Sequence, residues 1–159
     1  MSEEKGTIRA VFFTQSGGDL LTKIAARPIN QTYIEMIRDY LLGLSQETSV
    51  VWFGPQAELV EDIRSINPLR GKYVPNFKQG ISYLDDFLEQ YSVQYGSNNL
   101  KYLSILKGTQ FKPSDFYSDG AFTYSDSDHW SSHGEKIFGA RLLKHEMIAG
   151  YLSKPALSD

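Results

Sequence analysis

Three short apolar runs along the chain predict β-strands. The first, residues 8–14 (Ile-Arg-Ala-Val-Phe-Phe-Thr), ends at the turn-rich sequence Ser-Gly-Gly-Asp of residues 16–19. The second, residues 49–53 (Ser-Val-Val-Trp-Phe), is closed by Gly-Pro, which is typical of a strand buried on both faces of a parallel sheet, and we expect Trp52 in the core. The third, residues 100–106, alternates apolar and polar positions and is bounded by Asn-Asn and Gly108.

Hydrophobic residues at steps of three and four predict three helices, over residues 30–44, 77–95 and 132–151. Asn30 is a suitable N-cap for the first helix, and Ser132 with Glu135 forms a capping box, Ser-x-x-Glu, at the start of the last. The residues expected to face inward are, in chain order, Ile34, Ile37, Leu41, Leu44, Ile81, Leu84, Leu88, Tyr91, Ile137, Ala140, Leu143 and Met147.

Strands and helices alternate along most of the chain, and a long loop at residues 107–130 precedes the last helix. This order favours a single three-layer α/β domain over residues 1–159, with a mostly parallel sheet and helices on both faces. Three strands are few for a doubly wound sheet, so the first strands of such a sheet are expected to be missing here.

Composition narrows the class of protein. Of the 159 residues 41% are hydrophobic and 13% are aromatic, which predicts a globular fold. The formal net charge of −3 gives no basic footprint for nucleic acid or an anionic membrane. Without cysteine the chain has no disulfide, thiolate zinc site or cysteine nucleophile, and no cofactor motif is present. No apolar segment resembles a secretion signal or a membrane span, and the compartment stays open.

Residues 124–134 (Tyr-Ser-Asp-Ser-Asp-His-Trp-Ser-Ser-His-Gly) carry the candidate chemistry, between the last strand and the last helix. Asp126 and His129 are three residues apart, so a short turn lets the carboxylate reach one ring nitrogen. The carboxylate then fixes the imidazole tautomer and leaves the other nitrogen free to accept a proton from a hydroxyl. The pair therefore has the geometry of an orienting group and a general base.

The pattern Asp-x-x-His-x-Ser-x-x-Gly leading into a terminal helix resembles the last conserved block of the SGNH (GDSL-like) hydrolases and acyltransferases. Ser131 and Gly134 match that block, while Trp130 stands where Leu or Phe is usual. The run 49–55 resembles the family's fourth strand with its Gly-Pro turn. The layout is most similar to SGNH domains that modify bacterial surface sugars.

The resemblance implies a flavodoxin-like fold and a serine esterase or O-acyltransferase. The expected substrates are acyl esters of carbohydrate, chiefly acetyl esters, and no cofactor or metal is expected. It places Asp126 and His129 in a Ser-His-Asp triad. The family's Gly-Asp-Ser nucleophile block does not occur in this chain. One alignment makes the first strand here the family's third and puts the nucleophile upstream of Met1, with Gly18 where the oxyanion asparagine belongs. A second alignment makes Ser16 the nucleophile and leaves too little chain for the missing strands.

Other interpretations of the same residues remain open. The Asp126–His129 pair would also serve as a structural cap on the last helix. Asp128 and His133 would join His129 as metal ligands, but no further cluster of histidine or cysteine supports this. Residues 16–19 lack the Gly-Lys-Ser/Thr ending of a phosphate loop, so a plain turn is expected.

Aromatic residues of the long loop are candidates for stacking on a sugar ring or for packing the loop down. They are Phe111, Phe116, Tyr117, Phe122 and Tyr124, and we take Tyr124 and Trp130 as candidate substrate-binding residues.

The competing function is a non-catalytic binding or assembly module that keeps the fold. A serine within reach of the free His129 nitrogen distinguishes the two functions, because catalysis requires one. A half-complete sheet would also leave an exposed edge, which predicts a homodimer.

Overall fold

The computed structural model describes residues 8–15, 17–21, 29–63, 66 and 75–153. Its strands are β1 (Ala10–Phe13), β2 (Ser49–Phe53), β3 (Leu100–Leu103), β4 (Tyr117–Ser118) and β5 (Ala121–Phe122). Its helices are α1 (Gly17–Leu20), α2 (Gln31–Leu44), α3 (Gln79–Tyr95), α4 (Ile105–Gly108), α5 (Ser132–Leu143) and α6 (Glu146–Leu152). None of these helices is long and apolar enough to cross a lipid bilayer.

The main sheet contains β1, β2 and β3 side by side in chain order, all parallel. Val11 lies opposite Val50, which in turn lies opposite Leu100. The short strands β4 and β5 form a separate antiparallel hairpin within the long loop. Because the three main strands are parallel, their carboxyl ends meet at one edge, and the connections that follow them lie together. The predicted α/β class with a parallel sheet is confirmed.

Helices cover both faces of the sheet. Val50 and Trp52 point to one face, where they pack with α2 and α3 around residues such as Leu84. Val51, the intervening residue, points to the other face and packs with Leu103 and with Ile148 of α6. This alternation follows from the two-residue period of a strand, and it explains why β2 is apolar throughout. Trp52 is 1% exposed, as expected for a core residue.

A third apolar cluster holds the long loop against α5. It comprises Leu59, Ile63, Phe116, Tyr124 and Phe138, and all five are at most 8% exposed. The cluster lies beside the carboxyl edge of the sheet, because Leu59 belongs to the connection that follows β2. It therefore fixes the segment that carries Asp126 and His129 relative to the sheet.

A buried carboxylate fastens α3 to the same edge. Asp85 is 1% exposed and accepts hydrogen bonds from the Tyr102 hydroxyl at 2.6 Å and from Ser104 Oγ at 2.7 Å. Burial raises the pKa of Asp85 above its ordinary value, and the two hydrogen bonds partly oppose that rise. A Cβ on Gly54 would overlap both the Tyr102 hydroxyl and the Asp85 carboxylate, so the turn after β2 requires glycine.

The first two helices agree with the sequence pattern. Asn30 caps α2 by accepting a hydrogen bond from the Tyr33 amide at 3.3 Å. The inward residues predicted for α2 and α3 are buried or partly buried. These faces pack against the sheet, and a hydrophobic repeat of 3.6 residues indicates such a buried helix face.

The last third of the chain departs from the prediction at two places. The third strand ends at Leu103, because Ser104 caps the short helix α4 by accepting from the Lys107 amide at 3.0 Å. The single helix predicted over residues 132–151 is two helices, since the His145 side chain accepts from the Met147 amide and starts α6 anew.

The start and the inward face of α5 also differ from the prediction. Its N-cap is Ser131 rather than Ser132. Its buried residues are Gly134 and Phe138, whereas Leu143 is 57% exposed. The face is rotated because α5 packs on the aromatic cluster of the long loop, which the spacing of residues within the helix does not record.

Candidate active site

A tight loop between β5 and α5 presents the candidate residues. Tyr124 and Trp130 form an antiparallel bridge at its base, and the Ser125 amide donates to the His129 carbonyl at 2.9 Å. Asp126 and His129 therefore lie at the closed end of the loop, where their side chains are brought together by local backbone geometry.

Asp126 orients His129 through both of its carboxylate oxygens. Each oxygen lies 3.0 Å from His129 Nδ1. Oδ1 also accepts the backbone amides of Asp128 at 3.0 Å and of His129 at 2.7 Å. With Nδ1 donating to this carboxylate, Nε2 is left unprotonated in the neutral ring and is able to accept a proton. The structure thus brings the two residues together in the expected way.

The electrostatics of the pair suit a base. Burial acts to raise the pKa of Asp126, but hydrogen bonds from the Asp128 and His129 amides and from the ring bring it below its ordinary value. The hydrogen bond to Asp126, followed by the charges of Asp126 and Asp128, raises the pKa of His129 above its ordinary value. The His129 side chain is 71% exposed, so a substrate is able to reach it.

The loop is anchored to the connection that follows β2. The Leu59 amide donates to the Ser127 carbonyl at 2.7 Å, and Gln56 Nε2 donates to the Asp128 carbonyl. The Tyr124 hydroxyl donates to the Ala57 carbonyl at 2.7 Å. These bonds hold the Asp126–His129 loop against the carboxyl edge of the sheet.

A cleft of about 310 Å³ opens beside His129 at this edge. Its described lining consists of Thr14, Gln15, Gly17, Gln56, Glu58, Ile105, Asp128 and His129. Ser16, the nucleophile candidate, lies outside the described residues. Its neighbours Gln15 and Gly17 both line the cleft that His129 lines.

The other residues of the motif have a structural role. Ser131 Oγ donates to the Phe122 carbonyl at 2.7 Å and accepts from the Gly134 amide at 3.1 Å, which caps α5. A Cβ on Gly134 would overlap the Thr123 carbonyl. The interpretation of Asp126 as the helix cap is therefore wrong, because Ser131 fills that position.

Tyr124, a candidate substrate-binding residue, lies in the core. It is 2% exposed and packs with Phe116 and Phe138. Trp130 packs on Phe138 with ring centroids 4.8 Å apart, and neither Tyr124 nor Trp130 is among the described residues that line the cleft.

The remaining loop aromatics mostly pack the loop down. Phe116 is 3% exposed, and Phe111 and Phe122 are partly buried against the same cluster. Tyr117 differs, since 52% of it is exposed.

The candidate metal ligands are brought together only in part. Asp126, Asp128 and His129 place ligand atoms within 4.8 Å of one another. His133 points elsewhere, and its Nε2 lies 2.9 Å from the Ser118 carbonyl oxygen.

Four polar residues of the cleft were not identified from the sequence: Thr14, Gln15, Gln56 and Glu58. Thr14 ends the first predicted strand, and the other three follow the end of a predicted strand. Polar residues at the carboxyl ends of parallel strands are the signal that would have identified them.

Comparisons with known proteins show the fold. No protein-family model matches the chain, and no curated protein matches it. A solved structure similar to this one is the periplasmic domain of a lipopolysaccharide acetyltransferase from Salmonella ser. Paratyphi A, with a TM-score of 0.60 and 14% sequence identity. The match covers 88% of this chain and 57% of that chain, so this chain corresponds to little more than half of its neighbour.

Proposed function

We propose that this chain carries the base of an SGNH-type serine esterase or O-acyltransferase that acts on acyl esters, chiefly acetyl esters, of carbohydrate. The observation that carries the proposal is the His129 ring, held by both oxygens of Asp126 at 3.0 Å while it lines a cleft at the carboxyl edge of a parallel sheet. The similarity to the periplasmic domain of a lipopolysaccharide acetyltransferase supports an acyl ester of carbohydrate as the class of substrate.

In this mechanism His129 Nε2 accepts the proton of a serine hydroxyl as the serine oxygen attacks the ester carbonyl. The new serine–acyl bond forms, the ester C–O bond breaks, and the proton passes from His129 to the leaving alkoxide. Water or an acceptor hydroxyl then attacks the acyl-serine, with His129 again as the base. Asp126 stabilises the imidazolium that forms in each half of the reaction.

Ser16 is the nucleophile that we propose within this chain. The support is positional, because the residues on both sides of it line the His129 cleft, and the carboxyl end of a parallel strand is where such sites are built. A serine supplied from outside residues 1–159 is the alternative that the sequence alignment leaves open.

Fluorophosphonate labelling of the purified chain, followed by peptide mapping, tests the proposal. We expect one serine adduct that disappears in His129→Ala, because the serine then has no base. His133→Ala is the matched control, since His133 bonds to the Ser118 carbonyl and does not line the cleft. Ser16→Ala shows whether the adduct lies on Ser16.

The possible results separate the functions. An adduct that survives in His129→Ala would show that the Asp126–His129 pair does not activate it. A folded chain without any adduct would exclude hydrolysis by this chain alone, and would leave either a serine outside residues 1–159 or the non-catalytic binding module.

A further inference from the structure

Two polar side chains in the floor of the His129 cleft have no role in the mechanism above. They are Gln15, which follows β1, and Glu58, which follows β2. Their separation along the chain shows that the fold, not local sequence, brings them to one cleft.

Glu58 is a buried charge that lines the cleft. Its side chain is 4% exposed, and Oε2 pairs with Lys78 Nζ at 3.0 Å. Oε1 faces the backbone of Gly17, since a Cβ placed there would lie 3.0 Å from it. Burying a carboxylate is unfavourable unless its oxygens are bonded, so Oε1 is suited to accept a further hydrogen bond.

Gln15 has an amide without a partner. Both Nε2 and Oε1 are buried, and neither is hydrogen-bonded among the described residues. A buried amide in this state is unfavourable, and such groups in native proteins call for a specific explanation. Gln15 also lines the His129 cleft, so its amide and a ligand bound there would be neighbours.

The chemistry of the two groups selects the ligand. A carboxylate oxygen only accepts hydrogen bonds, whereas a side-chain amide both donates and accepts them. A hydroxyl group is a suitable partner for either side chain, because it donates one hydrogen bond and accepts others. Two carboxylates, Glu58 and Asp128, line the cleft. Lys78 pairs with the first, and His129 Nδ1 lies 3.5 Å from the second. While the His129 ring is neutral, it does not compensate the charge of Asp128, which disfavours an anionic ligand.

We infer that Gln15 and Glu58 bind two neighbouring hydroxyl groups of a neutral saccharide and hold it beside His129. This inference rests on the proposed function, because it names the substrate that the base would act on. Glu58 accepts from one hydroxyl, and the Gln15 amide donates to the oxygen of the next. Both are binding residues and take no proton in the reaction.

Titration of the ¹⁵N-labelled full chain with methyl glycosides tests this inference without any reaction. The neutral probes are the methyl pyranosides of glucose, galactose, mannose and rhamnose, and the anionic probe is the methyl glycoside of glucuronic acid. We expect at least one neutral probe to shift the Gln15 side-chain amide signals, which are assigned by their loss in Gln15→Ala. The glucuronide is expected to bind about tenfold more weakly or worse, because of the charge in the cleft.

Two variants and a control complete the test. Gln15→Ala and Glu58→Gln are each expected to weaken binding by about tenfold or more. Gln15→Ala removes a hydrogen bond, and Glu58→Gln replaces a charged acceptor with a neutral one. Gln94→Ala, on the exposed surface of α3, is the matched control and is expected to bind as the parent chain does. Gln15→Ala carries the test by itself if Glu58→Gln fails to fold.

The outcomes keep the two proposals apart. No shift with any neutral glycoside, equal binding by Gln15→Ala, or equal binding of the glucuronide would overturn the saccharide inference. A fluorophosphonate adduct without glycoside binding would overturn it while the esterase proposal stood. Glycoside binding without an adduct would support it while the esterase proposal failed.

Discussion

At the scale of single residues, Asp126 does two things with one carboxylate. It accepts two backbone amides, which close the loop, and it orients the His129 ring. Asparagine keeps an oxygen for the amides but loses the negative charge. Asp126→Asn therefore separates the structural contribution of this residue from its electrostatic one.

We predict that Asp126→Asn lowers the pKa of His129 toward the ordinary histidine value of 6.5. The pKa of His129 is raised in the parent chain chiefly by the hydrogen bond to Asp126, so loss of the charge removes the cause. NMR titration of the ring protons measures the shift, and His133 and His145 provide reference signals in the same spectra. An unchanged pKa of His129 would show that Asp126 does not interact with the ring in solution.

The same variant is expected to change how the rate of fluorophosphonate labelling depends on pH. Only the neutral imidazole accepts a proton, so a raised pKa of His129 means that the neutral ring forms only at higher pH. Because Asp126→Asn lowers this pKa, the acidic limb of the labelling rate is expected to move to lower pH. The plateau rate should still fall, by about 100-fold or more, because the tautomer is no longer fixed.

At the scale of elements, the position of α5 depends on a contact that only glycine permits. Gly134 lies against the Thr123 carbonyl, where a Cβ would overlap the oxygen. Because α5 follows the His129 loop directly, this contact sets where that loop joins the helix. A Cβ on Gly139, in the same helix, would meet nothing within 4 Å apart from the backbone of that helix.

We predict opposite effects for alanine at these two glycines. Gly134→Ala is expected to destabilise the fold by about 1–3 kcal/mol, since the helix must move away from the loop. Gly139→Ala is expected to stabilise it by about 0.5–1 kcal/mol, because alanine favours a helix interior. Denaturant unfolding of both variants measures the difference, and equal stabilities would mean that α5 does not pack against Thr123.

A structural feature is predictable from the sequence when the residues that determine it lie close together along the chain. The α2 and α3 faces and the Asp126–His129 pair were predictable, because a helical period or a three-residue turn decides them. The break between α5 and α6 was not, since His145 fits a helix interior as well as a cap. Gln15 and Glu58 come to line one cleft only after β1 and β2 have paired, so no local sequence pattern predicts it.

At the scale of the whole molecule, the two edges of the sheet differ. The β3 edge carries Lys101, which is exposed, and a lysine on an edge strand discourages pairing with another chain. The β1 edge has the uncharged sequence Ala-Val-Phe-Phe. In the described part of the chain, β1 pairs with β2 alone. Ile8, just before β1, is 69% exposed and Phe12 is 44% exposed.

We predict that this edge pairs with the β1 edge of a second copy. A two-fold axis makes the two β1 strands antiparallel, so the joined sheet would have three strands from each copy. Ile8→Lys places a charge at the exposed start of the β1 edge and is expected to favour the monomer, because pairing with a second copy would bury that charge. Val93→Lys, on α3 at a position 85% exposed, is the control with the same change of charge. Light scattering at several protein concentrations measures the mass, and a monomer at every concentration, or equal masses for the two variants, would show that the β1 edge does not self-associate.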